Sequence, residues 1–223
     1  MEQEQVLSSG KPERARLTRD FVRDRIARYE PSVRGLSEEQ LAEMRGDHTL
    51  DPAEDVKPLF RPAAVLIGLI EREDGLHVLL TRRTDHLKSH AGQVAFPGGR
   101  IEAFDESPTA GALREAQEEV GLPPGHVEII GRIDTYLTRT SFEITPVVGF
   151  VRAPYPVTPD PFEVADVFEV PLDFLVDPVN HQRNTREIKG KVHTFFAMPY
   201  REWHIWGVTA GILVNLAEVL APT

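Results

Sequence analysis

The 223-residue chain has no cysteine, which excludes disulfides, thiolate metal centres and a cysteine nucleophile and fits a reducing, cytoplasmic compartment. It lacks any apolar run near the ~18–20 residues that a membrane-crossing helix needs, and its first thirty residues are too charged for a secretory leader. A soluble protein that works away from membranes is expected. Positive charge is scarce as well: 35 acids stand against 25 bases, a formal net charge of −10. That sign argues against a nucleic-acid partner, so a polyanionic ligand must meet a local basic patch or a bound cation. There is no internal repeat and no low-complexity tract. With 41% hydrophobic residues the chain can still build a sizeable core.

The length suits one large domain, or one domain with an extension. Residues 1–59 read as an N-terminal helical arm. Leu17, Phe21, Val22, Ile26 and Tyr29 recur at helical spacing, and Ser37 with Gln40 three positions on marks a second short helix. From residue 60 to 223 the pattern is β-rich. A buried strand over 63–70, an Asp74-Gly75 turn and a partner over 77–81 predict a hairpin, and further strands are expected at 127–133, 145–151 and 192–198. Pro154, Pro156, Pro159 and Pro161 mark a loop. Two helices interrupt the strands, over about 108–120 and 208–220. The second is apolar on most sides, which fits either burial or the contact of a homodimer.

The first of these helices holds the densest chemistry. Ser107 suits its N-cap, Pro108 its first position and Gly121 the left-handed residue past its end. At about 100° per residue, Leu113, Ala116 and Val120 share one stripe, while Glu115, Glu118 and Glu119 converge on another. Like charges at i, i+4 near a helix C-terminus are unfavourable. A bound Mg²⁺ or Mn²⁺ reverses that penalty and also bridges substrate phosphates. The preceding Gly98-Gly99 turn allows close backbone approach.

The run Arg114-Glu115-Ala116-Gln117-Glu118-Glu119-Val120-Gly121-Leu122 resembles the second half of the Nudix box without a gap. Counting from Gly99 or back from Arg114 leaves Asp105 and Glu106 both open as the box's first acid. The resemblance implies an α/β fold, the Nudix α/β/α sandwich with a mixed β-sheet, and hydrolysis of a nucleoside diphosphate linked to another moiety. It implies Mg²⁺ or Mn²⁺ held by Glu115, Glu118 and Glu119 with the Gly99 carbonyl, and Arg114 orienting the acids. Immediately upstream, Leu79-Leu80-Thr81-Arg82-Arg83 leads through Lys88 and His90 to Gly92-Gln93-Val94-Ala95-Phe96-Pro97-Gly98-Gly99. This resembles the extra signature of the coenzyme A diphosphatase branch, with Thr84 and Lys88 as departures.

The small-molecule substrate so implied is coenzyme A or a related nucleotide conjugate. Arg82, Arg83 and Lys88 are its candidate phosphate contacts. His86 and His90 share a zinc-like i, i+4 spacing, but without an HExxH motif His90 reads as a structural loop residue. Segments 163–172 and 205–210 extend the resemblance. Glu163 is the candidate acid from a later loop, leaving Glu115 and Glu163 as alternative general bases, and Trp206 reads as core. Alternatives are a Nudix hydrolase of ADP-ribose or dinucleoside polyphosphates, and a non-catalytic Nudix ligand sensor.

Overall fold

The computed structural model describes residues 17–31, 44–50, 60–87, 89–188 and 190–221. The expected Ser37–Gln40 helix lies outside the described residues. Helix α1 (Arg19–Arg28), capped by the Thr18 hydroxyl, and the short α2 (Asp47–Leu50) precede the sheet.

The main sheet is built on β1 (Arg61–Arg72). It pairs in parallel with β7 (Phe142–Val151) along its length, and antiparallel on its other side first with β4 (Gly98–Arg100) and then with β2 (Gly75–Arg83). β3 (Val94–Ala95) and β8 (Val164–Pro171) pair with β2, while β5 (Val127–Arg132) and β6 (Tyr136–Leu137) pair with β7. The sheet is therefore mixed. A second sheet joins β9 (Gln182–Ile188), β10 (Lys191–Tyr200) and β11 (Trp203–Trp206) in the order β11-β10-β9.

Both faces of the main sheet are covered because its central strands are apolar on both. On one side Ala64, Leu66, Ile70, Leu79, Val147 and Val151 pack against Ala112, Ala116 and Val120 of α3 (Pro108–Val120). On the other, Ile67, Leu69, Val78, Leu80, Val148 and Phe150 meet α1, the short α4 (Leu172–Leu175) and α5 (Val208–Leu220). The period of two along β1, β2 and β7 divides the core into these layers. Among the described residues no helix is long and apolar enough to cross a membrane.

Helix α5 buries nine of its residues within the chain, so its all-round apolarity is satisfied without a second copy. Helix α1 sends Val22 and Ile26 into the same core. A buried polar knot ties arm and body together: Asp134 accepts from the Tyr29 hydroxyl at 2.8 Å, Arg45 Nε at 2.8 Å and Asn215 Nδ2 at 3.1 Å.

Helix α3 has the bounds that its punctuation predicts. The Ser107 hydroxyl accepts from the Ala110 N–H at 3.1 Å, and Gly121 takes φ 72°, the left-handed closure. Two readings are corrected on this helix. Leu113 is only half-buried, whereas Glu119 is 5% exposed, because the inner stripe runs through Ala112, Ala116 and Glu119. Trp206, read as core, is half-buried at the second sheet.

Candidate active site

Four acids gather where α3 passes the ends of β2, β4 and β8. The Gly98 N–H donates to Glu119 Oε2 at 3.0 Å, anchoring the innermost carboxylate on β4. Gly99 must lack a side chain here: a Cβ on it would lie 2.6 Å from the Glu115 carboxylate, so that carboxylate rests directly on the β4 backbone.

Arg114 is the hub of the outer acids. Its Nε and one terminal nitrogen grip the two Asp105 oxygens at 3.0 Å each, and the same nitrogen reaches the Arg100 carbonyl at 2.9 Å. The other terminal nitrogen donates to Glu115 Oε1 and to Glu118 Oε2, both at 2.8 Å. Such a fork locks the guanidinium plane and thereby the carboxylates it faces. The hydrogen bonds that Arg114 donates to Asp105, ahead of the one it donates to Glu115, raise its pKa. Asp105 is the acid so engaged, with a side chain only 4% exposed, while Glu106 is exposed. Spacing alone left this pair open because both residues fit the count; the need for a bidentate partner nine residues before an arginine was the missing signal.

Glu163 arrives from the proline-rich loop, which folds onto the C-terminus of α3. The Thr158 N–H donates to the Val120 carbonyl and the Asp160 N–H to the Glu119 carbonyl, each at 2.9 Å, satisfying two carbonyls that the helix leaves open. Thr84 then fastens the loop's end to β2: its N–H donates to the Glu163 carbonyl at 3.0 Å and its hydroxyl to the Phe162 carbonyl at 2.8 Å. Arg83 lies between the two sides of the cluster, 3.6 Å from a Glu119 oxygen and 3.6 Å from a Glu163 oxygen.

The electrostatics follow from burial and crowding. Burial pushes Glu119 up to about 7, and the charges of Glu115 and Glu163 add to the shift against the Gly98 hydrogen bond and Arg83. Glu115 is likewise raised, first by burial and then by Glu118 and Glu163, with Arg114 opposing. These are carboxylates with too little compensating positive charge. Hard oxygen donors in that condition suit Mg²⁺ or Mn²⁺. Among the described residues no three acids or histidines yet stand close enough together to hold an ion; Arg114 and Arg83 fill the gaps between them.

The sequence candidates thus separate. Glu115, Glu118, Glu119, Glu163, Arg114, Arg83 and Gly99 come together. Arg82 points to the opposite face of the sheet, bound to Asp166 at 2.7 Å and facing Asp85 at 3.4 Å. Lys88 lies outside the described residues. His90 holds Gln93 Oε1 at 2.8 Å, a loop role, and His86 packs on Phe162 with ring centroids 4.9 Å apart.

Residues 59–189 match the family model of the NUDIX domain. Two relatives, from Enterobacter sp. (strain 638) and Shigella flexneri, both carry the name uncharacterized Nudix hydrolase NudL. The first is 44% identical over 158 residues, 70% of this chain and 81% of that protein; the second is 42% identical over 176 residues, 78% and 91%. Among solved structures, a Nudix hydrolase from M. smegmatis, RenU, aligns at 24% identity with a TM-score of 0.41, over 51% of this chain and 71% of that one.

Proposed function

The chain belongs to the Nudix family and is a hydrolase of nucleoside diphosphate derivatives, and from that premise we propose that it is a divalent-cation-dependent coenzyme A diphosphatase. Its products are then 4′-phosphopantetheine and adenosine 3′,5′-bisphosphate. The observation that carries this reading is that segment 79–99, which resembles the coenzyme A signature, is built into the acid cluster. That segment supplies Arg83 between Glu119 and Glu163, Thr84 as the clasp of the Glu163 loop, and Gly98 with Gly99 as the floor.

Glu115, Glu118 and Glu119, with the Gly99 carbonyl, are the groups that would hold Mg²⁺ or Mn²⁺. When bound, such an ion neutralises diphosphate charge and acidifies a water. The chain's own contribution is positioning. Asp105 fixes Arg114, Arg114 fixes Glu115 and Glu118, and the Gly98 N–H fixes Glu119. Water adds to one phosphorus, the bridging P–O bond breaks, and a carboxylate takes the water's proton. Glu115 rests on the β4 backbone at Gly99, inside the cluster, which favours it as that base over Glu163 on the returning loop. Residues 1–59 serve as the arm and 60–223 as the catalytic domain. The substrate is a small molecule handled in the cytoplasm, without nucleic acid or membrane.

A product screen by mass spectrometry over coenzyme A, ADP-ribose, NADH and diadenosine polyphosphates, with Mg²⁺, Mn²⁺ or EDTA, tests this. Adenosine 3′,5′-bisphosphate released from coenzyme A, and lost in EDTA, is the expected result. Preferred cleavage of ADP-ribose or a dinucleoside polyphosphate would replace the substrate assignment, and full turnover in EDTA would remove the cation.

A further inference from the structure

Arg82 and Arg83 leave β2 on opposite faces of the sheet. Leu79 and Arg83 share the α3 side, and Val78, Leu80 and Arg82 the α5 side, as the period of two requires. On the α5 side a hollow of about 680 Å³ opens between the β2–β3 edge and β11. That volume lies within the ~300–1,000 Å³ usual for ligand sites. The Arg82–Asp166 ion pair, Gln93, Arg186 of β9, Trp203 and Trp206 line it.

The two indoles are half-buried and held in place. Trp203 stacks in parallel on Phe168, with centroids 4.0 Å apart and planes 10° apart, and Trp206 meets Phe195 at 5.3 Å and 64°. The Arg82 charge is met by Asp166. Arg186 is exposed and has no ion pair among the described residues, although Glu202 shares the rim. The hollow and the acid cluster are joined by one short run of chain. Gln93 and Val94 line the hollow, and Gly98 and Gly99 floor the cluster. From Val94 to Gly98 is four residue steps, at most about 14 Å.

We propose that this hollow binds the purine nucleoside end of the substrate whose diphosphate lies at the acid cluster, with the base against the indoles and Arg186 meeting a phosphate carried on the ribose. The assignment rests on the coenzyme A reading above. Of that molecule's two ends, only the purine has a π face for the indoles to stack on, and only the ribose carries a phosphate for an unpaired guanidinium. The pantetheine arm, a flexible chain of amides, has neither.

The chain's two tryptophans are Trp203 and Trp206, so intrinsic tryptophan emission reports on this hollow. Full-length, metal-free protein is titrated with adenosine 3′,5′-bisphosphate, AMP, pantetheine and inorganic pyrophosphate, with calorimetry in parallel. Both adenine nucleotides should quench the emission, and pantetheine and pyrophosphate should leave it unchanged. Arg186→Ala, an exposed position on β9, should weaken the bisphosphate about 10-fold and AMP less than about 2-fold. Emission that responds to pantetheine and not to nucleotides overturns the proposal, as does calorimetric nucleotide binding with silent tryptophans, or equal losses for both nucleotides in the variant. Quenching by adenine nucleotides in a protein that leaves coenzyme A intact supports the hollow and refutes the substrate reading. Turnover of coenzyme A with no quenching by either nucleotide does the reverse.

Discussion

Replacing Glu119 by Gln should stabilise the cation-free protein while abolishing its chemistry. The Glu119 carboxyl, 5% exposed, is raised from 4.5 to about 7, chiefly by burial. At about 1.4 kcal/mol per tenfold change in proton affinity, the ionised group costs the fold about 3 kcal/mol. The folded state keeps this proton to higher pH than the unfolded chain does. Stability is therefore full below about pH 4.5 and falls as pH rises to about 7. Glutamine can still accept from the Gly98 N–H, and it carries no charge. In EDTA at pH 8 the variant should melt above the wild type by about 6–12 °C, taking ~2–4 °C per kcal/mol for a chain of this size. At pH 4.5 the two should melt within about 2 °C of each other. Mg²⁺ or Mn²⁺ should raise the wild-type melting temperature at pH 8 and narrow the gap, because the ion favours the charged carboxylate. Circular-dichroism melts of both proteins at the two pH values, with and without EDTA, are sufficient. A melting difference that does not change with pH, or a variant less stable than wild type at pH 8 in EDTA, would refute the reasoning.

Three further outcomes are expected. Glu118→Gln should lower activity by orders of magnitude with partial rescue at high metal, whereas Glu115→Gln should stay low in kcat even at saturating metal and recover in part at high pH; metal titrations followed across pH check both, and Glu163→Gln with normal kcat would remove that residue from the mechanism. Arg83→Ala should lose similar activity on coenzyme A and on 3′-dephospho-coenzyme A, since Arg83 stands between Glu119 and Glu163 beside the scissile group; a loss confined to coenzyme A would reassign it to the 3′-phosphate. Asp134→Ala strands the Tyr29, Arg45 and Asn215 donors, and should destabilise by about 3 kcal/mol in urea unfolding with activity at 25 °C retained.

Local chemistry was legible where it is self-contained. The cap, the first-turn proline and the terminal glycine fix α3 from within its own sequence, and near-continuous apolar runs give β1, β2 and β7. Polar strands were not legible. β9, reading Gln182–Ile188, has no apolar face to betray it and exists because β10 pairs with it along seven residues. β8 appeared in the sequence only as a patch of family likeness, since its edge pairing with β2 is long-range. Among site residues, Glu119 was identified as a cation-facing acid on the arc opposite the apolar stripe, and its depth was not legible. Its burial comes from the β4 backbone and the returning loop, which no helical wheel contains. The opposite destinations of Arg82 and Arg83 were implicit in strand parity, yet the adjacent bases were read as one patch.

That parity makes β2 intolerant of changes in length. Inserting or deleting a single residue between Leu79 and Arg82 would exchange the two arginines, sending one guanidinium toward Trp203 and Trp206 and the other toward Glu119. Placed between Leu79 and Leu80, it would also turn Leu80 away from its layer of the core. A two-residue change would restore the faces and shift only the reach. Natural variation in this strand is therefore expected to come in side chains or in pairs of residues, and an odd-length change should mark a protein in which both ends of the substrate have been lost together.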